Sequence, residues 1–389
     1  MFQNTFAQAD AVIVHDAAIA AAIDAALFDD LMARYAAMFG RDETPWRIWS
    51  AANAPAALDR HDVVLSDGEA TGDLIDRVVV ADAVLIESER EGGRWIDTVR
   101  SPMGTWVLDV RADDDTPHSP AFVAVLRAAL SLHFPAHDAL CIARAWQPGA
   151  TAWPNDFGRF PQVRHAALVP PGQTAQPFAP CPPDLGLYAV MPSAAWIETL
   201  VPLAVPTVQL RFKSDDADAV KHEVARAAKA AKGSQSRLFI NDHWRVAIDH
   251  HAACGGDSGI YGIHLGQEDL DDADLDAIRA SGLRLGVSTH GYAEMLRVAA
   301  ISPSYLALGA IFPTTTKVMP TQPQGMGRFQ SYVALMQPVI PSLVGIGGVN
   351  AGNMGEVLAV GVGSAAVVRA ITEASDVPAA VAGLNALFA

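Results

Sequence analysis

Apolar residues along this chain fall into two patterns. Over residues 187–368, eight short apolar runs recur, each bounded by polar residues or glycine: 187–191, 207–211, 238–241, 262–265, 285–288, 305–310, 343–347 and 365–368. Segments of helix-forming, amphipathic composition lie between them, such as 216–232 (DADAVKHEVARAAKAAK) and 274–280. Continuous apolar strands alternating with helices specify a parallel sheet covered on both faces. Eight βα units in about 200 residues specify a TIM barrel, with a doubly wound open sheet as the structural alternative.

The first 170 residues are less regular. They predict helices over 16–39 and 119–132, and strands over 63–65, 78–80, 84–87 and 105–110. That is a mixed α/β domain whose topology the pattern does not define. Between the two patterns, residues 170–183 (PPGQTAQPFAPCPP) are dense in Pro, Gly and Gln and carry no period. Proline fixes φ and removes donors, so this stretch is expected to be an extended, solvated linker. The reading is an α/β protein: a smaller mixed domain over 1–170, a Pro-rich linker over 171–184 and a (β/α)8 barrel over 185–389.

Composition narrows the function classes. A chain of 389 residues, 51% hydrophobic and 18% charged, has material for two packed domains. A net charge of −16 repels nucleic acid and anionic lipid, so neither is expected as a partner. The three cysteines are too few and too scattered for a disulfide framework or a zinc site, which fits a reducing cytoplasm. The start shows no basic signal-peptide region, and no apolar run reaches the roughly 20 residues of a membrane span. The oligomeric state stays open, with a homo-oligomer among the alternatives.

In a barrel of this kind the active site lies at the C-terminal ends of the strands. Polar residues follow nearly every apolar run: Gln209, Arg211 and Lys213; Asn241 and Asp242; His264, Gln267 and Asp269; Ser288 and His290; Thr314, Thr315, Thr316 and Lys317; Gly347, Gly348 and Asn350. Asp242 and Asp269 are carboxylates from neighbouring strands. Two carboxylates with open positions for substrate oxygens suit Mg²⁺ bridging a diphosphate. Arg211, Lys213 and Lys317 add positive charge, the threonines add hydroxyls, and the Gly347-Gly348 turn offers backbone N–H groups to a second phosphate. Alone, each feature reads as a turn, a helix cap or a solvated loop. Six of them on successive strand ends read as a site. His264, one step before a strand end, reads as structural, and His290 stays open.

These residues also carry a family likeness. TVQLRFK, FINDHWRVAI, GIHLGQEDL, LGVSTHGYAEM, YLALGAIFPTTTK and VGIGGVNAGN, in this order, resemble thiamine phosphate synthase from residue 187 to the end. The resemblance implies condensation of 4-amino-2-methyl-5-hydroxymethylpyrimidine diphosphate with a thiazole phosphate, releasing pyrophosphate by dissociative substitution. It implies that Gln209, Arg211, Lys213, Asn241, Ser288 and Lys317 bind the pyrimidine and its diphosphate, with Lys317, Ser288 and Arg211 catalytic. It gives Asp242 and Asp269 to Mg²⁺, and Thr314, Thr316, Gly347, Gly348, Val368 and Arg369 to the thiazole phosphate. Phe212 stands where many members have Glu, and Arg369 where many have Ser. Two other readings compete with a synthase: a non-catalytic thiamine-pathway sensor, and a barrel similar to a thiazole phosphate tautomerase.

In the first half, GGRWIDTVRSPMGT over 92–105 faintly resembles the end of a hydroxymethylpyrimidine phosphate kinase, where a glycine turn before a helix forms an anion hole. Residues 138–145 resemble the helix that follows. Trp106 and Val107 stand where that hole needs small residues. The resemblance implies a degenerate domain without phosphotransfer activity, with an unrelated accessory domain as the equal alternative.

Overall fold

The computed structural model describes residues 23–112, 115–150, 152–165, 168, 175–314 and 322–388. The chain divides into two compact units, Met1–Arg164 and His165–Ala389.

The first unit is built on one six-stranded sheet, in sequence order: β1 (Arg47–Ser50), β2 (Asp62–Asp67), β3 (Val84–Glu91), β4 (Arg94–Ser101), β5 (Gly104–Arg111) and β6 (Gln162–Val163). The pairings β1–β2 and β2–β3 are parallel, and the rest antiparallel. Helices span Ala25–Phe39, Gly72–Val80, Pro120–Ser131 and Ala136–Ala145. The helix expected over 16–39 is thus described from Ala25; its start lies outside the described residues.

One expectation for this unit needs correction. Residues 78–80 are the end of the helix Gly72–Val80, not a strand. The Thr71 side chain caps that helix by accepting from the Leu74 N–H. Leu74 and Val78, four apart, are buried, whereas Val80 is 86% exposed. The 3.6-residue period therefore outweighs the β preference of three consecutive valines. Gly104 and Thr105 open β5, and Gly104 pairs with Ser101 in a tight antiparallel hairpin. No helix follows them, so they form no kinase-type turn; the next helix begins at Pro120. The Trp106 ring stacks on His137, ring centroids 4.9 Å apart.

In the second unit all eight expected strands form. They are β7 (Gly186–Met191), β8 (Thr207–Leu210), β9 (Arg237–Asn241), β10 (Ile260–Leu265), β11 (Arg284–Thr289), β12 (Tyr305–Leu308), β13 (Leu343–Gly345) and β14 (Ser364–Val367). They close into a parallel barrel in which β14 pairs with β7. The interior is filled by large side chains from β7, β9 and β12, Tyr188, Phe239 and Tyr305 among them. Each such buried aromatic contributes roughly 1.5–3 kcal/mol. The strands between supply the room. A Cβ on Gly286 would sit 2.0 Å from the Tyr305 ring, and one on Gly262 2.5 Å from the Phe239 ring.

The linker expectation is also corrected. The described residues 175–184 are extended but only partly solvated, with Phe178 buried among exposed neighbours. Phe178 is buried, its N–H donates to the Ser302 carbonyl, and the Arg279 guanidinium lies over its ring. Ser304 Oγ donates to the Ala179 carbonyl, Arg284 Nε donates to the Pro180 carbonyl, and Cys181 packs on the barrel interior. One aromatic and one thiol among the prolines suffice to bind the strap to the barrel. Among the described residues no helix is long and apolar enough to cross a membrane.

Candidate active site

The C-terminal ends of the barrel strands surround a cavity of about 850 Å³. Its wall includes every described residue that the sequence nominates: Gln209, Arg211, Lys213, Asn241, Asp242, Asp269, Ser288, Thr314, Gly347, Gly348, Val368 and Arg369. Thr315, Thr316 and Lys317 lie outside the described residues. Phe212 is absent from the wall, as expected of a side chain pointing away from the rim.

Each side chain reaches the cavity because a strand ends where it stands. Gln209 and Asn241 belong to β8 and β9 and are buried to 4% and 6% exposure. Just past β9, Asp242 adopts φ +62°, a left-handed conformation that Asp tolerates better than most residues. Its N–H donates to the His264 carbonyl on β10, 3.0 Å away. Asp269 lies in the short helix Gln267–Leu270 after β10, and its Oδ2 accepts from the Gly266 N–H at 3.1 Å. The capping role that sequence alone would give Asp269 is therefore real, and it holds the second carboxylate beside the first. Gln267 Nε2 donates to the Ser288 carbonyl at 2.8 Å.

The electrostatics follow from this pairing. Burial pushes the Asp242 carboxyl up, but the Lys213 ammonium, ion-paired with it, outweighs burial and holds it below the usual carboxylate range. Asp269 moves the other way: burial and the adjacent Asp242 charge raise it. Two carboxylates in contact resist joint ionisation unless a cation intervenes. Among the described residues no group of three His, Cys, Asp or Glu is placed to hold a metal. A pair of carboxylates beside an open cavity instead matches Mg²⁺, which keeps waters and takes up phosphate oxygens. Beyond the carboxylates, neither the Gly347 nor the Gly348 N–H has an acceptor among the described residues. Both remain available to an anion.

Several lining groups escape sequence reading. Trp196 and Glu294 face the cavity from helices that follow β7 and β11. Glu294 Oε2 accepts from the His290 N–H and bonds His290 Nδ1, each at 2.8 Å. The four-residue spacing of His290 and Glu294 was the available signal; Trp196 offers none beyond its size.

Comparison with known proteins gives the family of the barrel. A family model described as thiamine monophosphate synthase matches residues 187–371. The thiamine-phosphate synthase of Neisseria meningitidis serogroup B is 50% identical over 211 residues, covering 54% of this chain and 98% of the relative. That of Pectobacterium atrosepticum is 50% identical over 200 residues, covering 51% and 90%. Among solved structures, a thiamine phosphate pyrophosphorylase from Pyrococcus furiosus aligns with a TM-score of 0.43 at 24% identity, over 52% of this chain and 95% of that one.

Proposed function

The chain belongs to the thiamine-phosphate synthase family, and from that premise we propose that its barrel joins a hydroxymethylpyrimidine diphosphate to a thiazole phosphate. The observation that carries this reading is the convergence of all twelve described candidate residues on one cavity. The carbon–oxygen bond to the diphosphate breaks, the electron pair leaves with pyrophosphate, and the thiazole nitrogen supplies the pair for the new carbon–nitrogen bond.

Such a substitution needs a stabilised leaving group and a placed nucleophile more than a general base. Arg211 and Lys213 face the diphosphate, with Lys317 assigned to the same task by family resemblance. Asn241, Gln209 and Ser288 orient the pyrimidine. The N–H groups of Gly347 and Gly348, with Thr314, Val368 and Arg369, hold the thiazole phosphate, and Thr316 is assigned to the same task by family resemblance. Asp242 and Asp269 would hold Mg²⁺, whose charge would stabilise the departing pyrophosphate. The scattered thiols fit a reducing compartment, and we place the reaction in the cytoplasm.

For the first unit we propose an accessory domain without phosphotransfer activity. The Gly104 hairpin and the Trp106–His137 stack support this reading. ATP-dependent phosphorylation of hydroxymethylpyrimidine phosphate by the full chain would refute it.

The direct test of the barrel is pyrophosphate release with both substrates, with Mg²⁺ present or chelated. Release that requires both substrates and Mg²⁺ is expected. No release from folded protein would favour a binding protein that senses thiamine intermediates.

A further inference from the structure

Gln209 on β8 and Ser288 on β11 are separated in the barrel wall by β9 and β10. A continuous chain of hydrogen bonds nevertheless joins them through the barrel interior. Gln209 Nε2 donates to the Tyr188 hydroxyl at 2.9 Å. The Tyr188 and Tyr305 hydroxyls lie 2.6 Å apart. The Tyr305 hydroxyl lies 2.7 Å from His264 Nδ1, and His264 Nε2 lies 2.9 Å from Ser288 Oγ. Tyr188, Tyr305 and His264 are 1%, 0% and 6% exposed. In such surroundings a hydroxyl proton without an acceptor costs on the order of 1–3 kcal/mol, so each proton must be placed.

We propose that this chain of bonds runs one way and holds Ser288 as a hydrogen-bond donor toward the substrate. The ordering starts at Gln209. Because its amide N–H donates to Tyr188, the Tyr188 proton points to its other hydrogen-bond partner among the described residues, the Tyr305 oxygen. The Tyr305 proton then points to His264 Nδ1. A ring nitrogen that accepts is unprotonated, so the imidazole proton resides on Nε2 and is donated to Ser288 Oγ. Ser288 Oγ, already accepting, turns its own proton into the cavity.

The group that takes the Ser288 proton is therefore an acceptor, such as a pyrimidine ring nitrogen or a diphosphate oxygen. Tyr188, Tyr305 and His264 are positioning residues: they act on the substrate through Gln209 and Ser288. This inference rests on the placement of those two residues in the substrate site.

The test is the tautomer of His264 in the full chain. It is read from the ¹⁵N shifts of its ring nitrogens, identified by their disappearance in His264→Asn. Protonated Nε2 with unprotonated Nδ1 is expected; a proton on Nδ1 overturns the ordering. A double-mutant cycle reads the consequence for turnover. Tyr305→Phe should lower kcat/KM about tenfold beside Ser288 and less than about twofold in the Ser288→Ala protein. Equal losses in both backgrounds would mean that Tyr305 acts by packing alone, and would overturn the positioning role. The tautomer is read without substrate, so its failure is distinct from failure of the synthase reading, which pyrophosphate release reports.

Discussion

Each unit of this protein contains a buried cluster of charged and polar side chains, and the two clusters differ in where their bonding capacity ends. In the first unit, Asp97 on β4 takes both sides of the Arg144 guanidinium, at 2.6 and 2.7 Å, and the Ser88 hydroxyl at 2.6 Å. Arg144 further donates to the Pro117 carbonyl and lies over the Phe122 ring, and His118 Nε2 bonds Ser88 Oγ. The cluster closes on itself. In the barrel, Asp242, Asp269 and Lys213 all line the cavity. The barrel's second cluster, from Gln209 to Ser288, also finishes on the cavity wall. A Ser, a His and an Asp brought together in the first unit thus form a structural knot, because Asp97 bonds the serine and the arginine. Residue types alone would have suggested catalysis; the direction of the free valences decides.

The largest expected effect breaks this comparison or upholds it. Asp97→Ala leaves the Arg144 charge buried without its carboxylate partner and should destabilise the first unit by about 3–5 kcal/mol. Urea unfolding followed by tryptophan fluorescence measures this. Synthase activity of the folded fraction should be unchanged. Asp269→Ala should do the opposite. It removes one of two mutually repelling carboxylates, so stability should hold within about 1 kcal/mol, while kcat/KM falls about 10²–10³-fold. An unstable Asp269→Ala protein, or an active one, would place Asp269 among the structural caps.

The barrel was more legible than the first unit, for a physical reason. A strand covered on both faces must be apolar throughout, and polar residues then mark its end. Asn241-Asp242 and Ser288 stand out against such runs. In the sheet of the first unit, β4 mixes buried Trp95, Ile96 and Val99 with charged Arg94, Asp97 and Arg100, so no apolar run marks it as a strand. The strap at 175–184 reads as a solvated linker because its proline content masks the single Phe178 that anchors it. Tyr188 and Tyr305 could not be linked to the site from sequence. They lie 117 residues apart, and only barrel closure brings their hydroxyls together.

A smaller effect probes the closed cluster by pH. Burial, and then the Arg144 charge, depress His118 to about 4 from an ordinary value near 6.5; the opposing pull of Asp97 is weaker. Between those values the unfolded chain binds a proton that the folded chain refuses. Stability must then fall as pH drops through this window and stay flat above it. The expected loss between pH 7 and pH 5 is about 2 kcal/mol, since one pKa unit corresponds to about 1.4 kcal/mol. Urea midpoints for the first unit at the two pH values measure it. Glutamine at 118 keeps a polar partner for Ser88 and cannot titrate here, so His118→Gln should flatten the dependence. If the slope persists in that variant, His118 is not its source, and the knot around Asp97 is more open to protons than its burial implies.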